Sequence, residues 1–129
     1  MTGSVYIAVH VRDFDVSISR ISELIGVSPT KSWLSGDIAK RTRLKRKNNS
    51  WVFERKFDGG VDIGREAFAV LEYLFDGLVF CRDSVNCNIL FKIAIYVEIE
   101  ERLPFCLSVS TIEKLSRLES AIDIDLYQI

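Results

Sequence analysis

The chain is short of the residues and patterns that most often announce a reaction. Its 129 residues hold one histidine, His10, and three cysteines, Cys81, Cys87 and Cys106. An odd number of cysteines without a CxxC spacing fits neither a disulfide framework nor a zinc site. Each has apolar neighbours and reads as a small buried hydrophobe of a reduced, cytoplasmic protein. No apolar run approaches the ~20 residues of a membrane helix. The opening, MTGSVYIAVHVRDFD, has no basic leader region and alternates where a leader would be continuously apolar, so no signal peptide is expected. A Walker loop, GxGxxG, HExxH and GxSxG are all missing. No linker or low-complexity stretch divides residues 1–129, and one domain is expected. Net charge is only −1, so bulk charge names no partner.

What is present is pattern. Hydrophobic residues make up 48% and charged residues 27%, the balance of a soluble globular domain. In residues 88–99, Ile89, Phe91, Ile93, Ile95, Val97 and Ile99 fall at every second position. A strand sends alternate side chains to opposite faces, so these six form one apolar face. Leu90, Lys92, Ala94, Tyr96 and Glu98 form a mixed, partly wet one. Residues 5–12 alternate in the same way, and Trp51 to Phe57 and Ile122 to Leu126 also read as strands. Helical spacing places Ile18, Ile21, Leu24 and Ile25 on a first helix that Asp13 or Asp15 can cap and Gly26 can stop. Ala67, Val70, Leu71, Leu74 and Leu78 mark a second helix, capped by Asp62, with Gly77 as its end or an interior position. Ser110 and Glu113 form a capping box for a third helix, with Ile112, Leu115 and Leu118 facing the core. Residues 79–87 carry no clear assignment.

These elements predict an α+β fold: a mostly antiparallel sheet of five or six strands with three helices on one face. YIAVHV at 6–11 echoes KIAIYV at 92–97, and each is followed by a helix and an extended segment. That suggests a ferredoxin-like arrangement or a duplicated β-α-β relative.

Two charge clusters stand out. Residues 40–47, KRTRLKRK, hold six basic residues in eight: Lys40, Arg41, Arg43, Lys45, Arg46 and Lys47. They read as the tip of a wide hairpin, flanked by Trp33, Asp37, Trp51 and Phe53. Such a tip is solvated, contacts a protein, or grips phosphates while the aromatics stack on bases. Acidic groups gather at Glu98, Glu100 and Glu101 and at Asp123 and Asp125, the last two ~7 Å apart on one strand face. Paired carboxylates can hold a cation, do acid–base work or blunt a sheet edge. No third ligand is spaced beside them, so no metal or cofactor is expected. His10 sits on the polar face of the first strand with no nucleophile spaced to it, and reads as an ordinary face histidine.

Residues 26–37, GVSPTKSWLSGD, and the ending IDIDLY resemble the bacterial domain-of-unknown-function family 4279. The resemblance implies a small bacterial α+β domain with no established activity. It marks Trp33, Gly36, Asp37, Asp123 and Asp125 as family-like positions; the basic run is not part of that pattern.

The expectation is a non-enzymatic protein-binding domain of the bacterial cytoplasm. Most specifically, it is an immunity protein that neutralises a polymorphic or contact-dependent growth-inhibition toxin, a nuclease toxin being favoured, by covering its active site. Glu98, Glu100, Glu101, Asp123 and Asp125 would form the contact surface. The basic hairpin, with Trp33 and Asp37, would be a second surface or, in the alternative, a nucleic-acid site. A homodimer through Leu90, Ala94 and Tyr96 also fits the pattern, and no membrane contact is expected.

Overall fold

The computed structural model describes residues 3–98 and 105–129. In chain order the elements are β1 (Ser4–Arg12), α1 (Ile18–Ile25), β2 (Lys31–Trp33), β3 (Ser50–Asp58), α2 (Ile63–Ser84), β4 (Asn88–Val97), α3 (Val109–Arg117) and β5 (Ala121–Gln128). The strands form one sheet in the order β2-β3-β1-β4-β5. Three of its four pairings are antiparallel, and β4 with β5 is parallel.

The alternation in β1 and β4 does what its period requires. Val5, Ile7, Val9 and Val11 stand in register with Ile95, Ile93, Phe91 and Ile89. All eight are buried in one core with Ile21, Leu24 and Ile25 of α1, with Ala67, Val70, Leu71, Leu74 and Leu78 of α2, and with Leu115 of α3. The helices thus cover one sheet face. Trp51 and Phe53 of β3 join this core, and the Trp51 Nε1–H donates to the Ser22 hydroxyl on α1 at 3.1 Å.

Local signals were correct in kind and sometimes displaced. Asp62 caps α2 as expected, accepting from the Arg65 N–H. The cap of α1 is Ser17 and not Asp13 or Asp15; its hydroxyl accepts from the Arg20 N–H at 3.0 Å. Asp13 instead accepts from the side-chain amides of Asn48 and Asn88, tying three segments together. The cap of α3 is Ser108, two residues before the expected Ser110. The buried stripe is Thr111, Leu115 and Leu118, and Ile112 beside it is turned outward, 51% exposed, and does not face the core. Only Cys81 is a fully buried cysteine; Cys87 is half-buried and Cys106 exposed.

The two halves of the suggested duplication are not equivalent. β1 and β2 are separated by β3, whereas β4 and β5 are direct neighbours. The helix α2 runs unbroken through Gly77 to Ser84 because α1 ends against it there. A β-carbon at 77 would collide with the Ile25 carbonyl oxygen. Gly77→Ala is therefore expected to lower stability by about 2 kcal/mol through overpacking, although alanine is the better helix former by ~1 kcal/mol. A urea-unfolding midpoint at or above that of the parent protein would show that the two helices can separate freely.

Candidate functional site

The sheet face away from the helices is built by the other half of the alternation. It carries Tyr6, Ala8 and His10 from β1, Glu54 from β3, Lys31 from β2, Lys92, Ala94 and Tyr96 from β4, and Asp123, Asp125 and Tyr127 from β5. This face is not uniformly open. Ala8, His10, Ser50 and Val52 on it are buried, at 8% exposure or less. The segment 34–49 between β2 and β3 lies over this end: Ala39 is buried, and Arg41 stands at the same cleft as His10.

That cleft has a volume of about 340 Å³. Ala8 and Ala94 among its lining residues have side chains too short to fill it. Tyr6, Tyr96 and Tyr127 wall one side. The rings of Tyr96 and Tyr127 are stacked at 4.7 Å, and Tyr6 meets Tyr96 edge-on at 5.7 Å. Cationic groups line the rest. The Lys31 ammonium pairs with Glu54 at 3.5 Å, and that of Lys92 with Asp125 at 3.4 Å. Arg41, exposed on its loop, makes no ion pair among the described residues.

His10 is 8% exposed, and its Nδ1 is buried without a hydrogen-bond partner. Burial is the main cause that lowers its pKa to about 4, with Arg12, Lys92 and Lys31 adding repulsion. The ring is therefore neutral near pH 7. Arg12 and Lys92 face it from its own and the neighbouring strand, Lys31 and Glu54 from the other side, and Arg41 from the loop. An unfolded histidine protonates near 6.5, so the unfolded chain takes up this proton first. The resulting stability is fully present above about pH 6.5 and is lost as pH falls towards 4, by on the order of 2–3 kcal/mol. Unfolding free energies measured at pH 7 and pH 4.5 should differ less in His10→Gln than in the parent protein. An equal difference would mean that other groups carry the acid sensitivity.

The thiols of Cys81 and Cys87 are neighbours. The hydrogen bond between them and burial push Cys81 up, while the same bond holds Cys87 down. Among the described residues no group of three or more His, Cys, Asp or Glu could hold a metal ion, and no helix is long and apolar enough to cross a membrane.

A second surface lies at the sheet edge. Ile122, Ile124 and Leu126 of β5 stand in register with the buried Phe91, Ile93 and Ile95, on the helix-bearing face. Yet they are 45%, 47% and 65% exposed, because the helical layer ends before β5. The outer edge of β5 has no partner strand among the described residues. Asp123 and Asp125, expected to project together, do so on the opposite face and are half-buried. Glu98 is exposed just beyond β4; Glu100 and Glu101 lie outside the described residues.

The family model described as "Domain of unknown function (DUF4279)" matches residues 3–129. The chain belongs to this family. No curated protein and no solved structure matches it.

In this DUF4279 domain the family-like positions Trp33, Gly36 and Asp37 shape the loop. The Asp37 carboxylate accepts from the Leu34 N–H at 2.8 Å, and Gly36 supplies the left-handed φ of 93° that the turn needs. The Arg46 guanidinium lies 3.9 Å over the Trp33 ring, so Arg46 and Trp33 hold each other. The loop returns through Ile38 paired with Lys45, leaving Lys40, Arg41, Arg43, Lys45 and Lys47 exposed around its tip. A hairpin tip is thus what these residues form. The stacking platform expected for nucleic acid is not: Trp51 and Phe53 are core residues, and one face of Trp33 is taken by Arg46.

The residues that sequence reasoning missed are Tyr6, Lys31, Glu54, Lys92 and Tyr127 as lining of one cleft with His10. Each shows as the wet side of an alternating strand. What brings them together is the strand order, which no local spacing encodes.

Proposed function

We propose that the protein is a non-enzymatic protein-binding domain that receives its partner along the β5 edge. The observation that carries this reading is the apolar row Ile122, Ile124 and Leu126, at least 45% exposed on a strand whose outer edge is unpaired among the described residues. Edge strands are ordinarily blunted by charge, proline or bulges, because bare backbone donors and acceptors recruit other chains. Here the charges of β5 point to the other face, and one of them, Asp125, is engaged by Lys92. A partner can therefore gain both apolar burial and strand addition.

Within that reading we take the partner to be a toxin domain, and the protein to be a bacterial cytoplasmic immunity protein that acts by occlusion. Asp123 and Glu98 give the edge an acidic border that suits a basic active-site surface such as that of a nuclease. We further read β2-β3-β1-β4 as a ferredoxin-like order, with β5 the added strand that presents the surface.

The test is capture with the tagged protein from its own cells, followed by co-expression of whatever is retained. A stoichiometric toxin fragment whose toxicity is relieved by the parent protein supports the reading. Recovery of nucleic acid alone, released by salt, moves the function to the exposed cations of the 40–47 loop.

A further inference from the structure

The open-face cleft is not used by the edge reading and has a chemistry of its own. Its polar centre is His10, more than nine-tenths buried, lining the cleft with no hydrogen bond from either ring nitrogen among the described residues. Its Nδ1 has lost water without replacement, which folded proteins avoid unless something else satisfies the group, whereas Nε2 is not sealed in this way. The charge around it can be counted. Among the residues that line the cleft, Lys31 is matched by Glu54 and Lys92 by Asp125, while His10 is neutral, so Arg41 supplies the one unmatched positive charge of the lining; Arg12 acts on His10 from outside that lining. The volume of about 340 Å³ is at the lower end of what small-molecule sites use. Its tyrosine wall offers aromatic surface: Tyr127 is 43% exposed on top of its stack with Tyr96.

We propose that this cleft binds a small planar monocarboxylate, with the flat body against Tyr96 and Tyr127, the carboxylate on the Arg41 guanidinium, and a polar edge against His10. Arginine is suited to this because its planar fork meets both carboxylate oxygens at once. One unmatched cation selects a singly charged group over a doubly charged phosphate. The loop that carries Arg41 is anchored at its base, where Ser35 N–H donates to the Asn49 side chain and Asn49 donates to the Phe14 carbonyl, so the guanidinium is offered from a fixed stem.

The experiment is calorimetric or NMR titration of the full chain with benzoate, benzamide and phenyl phosphate as probes. Benzoate should bind, with benzamide, its neutral analogue, and the Arg41→Gln variant each weaker by about tenfold or more. Arg41 is exposed, so that variant is expected to fold as the parent does; Tyr127→Leu should weaken benzoate as well. Equal binding of benzoate and benzamide would overturn the carboxylate assignment, as would undiminished benzoate binding by Arg41→Gln. Tighter binding of phenyl phosphate would overturn the charge count, and no binding of any probe would overturn the site. Toxin capture and benzoate binding are read on different surfaces, so either proposal can fail without the other.

Discussion

Ile93→Ala will lower the stability of the protein by about 2–5 kcal/mol, while Ile124→Ala will lower it by less than about 1 kcal/mol. The two isoleucines are direct neighbours across the β4–β5 pair and point to the same sheet face. Their sequence contexts are alike, each the middle of an alternating apolar row. Ile93 is fully buried beneath the helices, so its truncation removes transfer energy and leaves a cavity that packed neighbours cannot close. Ile124 is 47% exposed, so much of its apolar surface is already in water and no enclosed void is left behind. Against a domain stability of about 5–15 kcal/mol the first loss moves a urea midpoint substantially and the second barely does. Equal losses would mean that the helical layer reaches over β5, which would also remove the surface on which the partner reading stands.

This pair shows what periodicity can and cannot report. Alternation assigned the faces of β1, β4 and β5 from the sequence, and in all three strands the apolar rows lie on the helix-bearing face. It says nothing of how far the second layer extends. Three helices of 8, 22 and 9 residues do not cover five strands evenly, and coverage stops at β4. The same limit governs the wet face. Lys92 and Tyr96 stood out as the mixed side of one strand, and Asp125 as the acidic side of another. Only the parallel registration of β5 on β4 places Asp123 opposite Lys92, Asp125 one same-face pair along within ion-pair reach of the same lysine, and Tyr127 opposite Tyr96. Parallel pairing needs a crossover, here α3, and the sequence marks the helix without marking which strand it returns beside. Capping errors have a different origin. Asp15 and Ser17, or Ser108 and Ser110, are equally good acceptors two residues apart, and packing of Ile21 or Leu115 into the core decides which one the helix begins on. Nothing in the sequence around His10 sets it apart, because its strand face is polar; its burial comes from the loop carrying Ala39 and Arg41, which crosses that face from later in the chain.

Ile124→Lys is expected to weaken partner binding by about 100-fold or more while changing stability little. The substitution places a charge in the middle of the apolar row, where a docked partner would have to bury it unpaired, and that desolvation is unfavourable however good the surrounding contacts are. In the free protein the same lysine reaches water, since the position is half-exposed already. Glu98→Lys, at the acidic border, should act differently. It reverses a peripheral charge, so it should slow association and alter the salt dependence more than it speeds dissociation. Arg41→Gln, on the opposite face, should leave partner binding unchanged. The three variants therefore separate an apolar anchor, an electrostatic border and an unrelated cleft in one set of binding kinetics. If Ile124→Lys retains full affinity while Glu98→Lys loses it, recognition rests on the acidic border alone and the exposed row has another use, with pairing of two copies through β5 the arrangement its unpaired edge allows. Sedimentation of the parent protein and of Ile124→Lys at matched concentration distinguishes that case, because such a pair would dissociate in the variant.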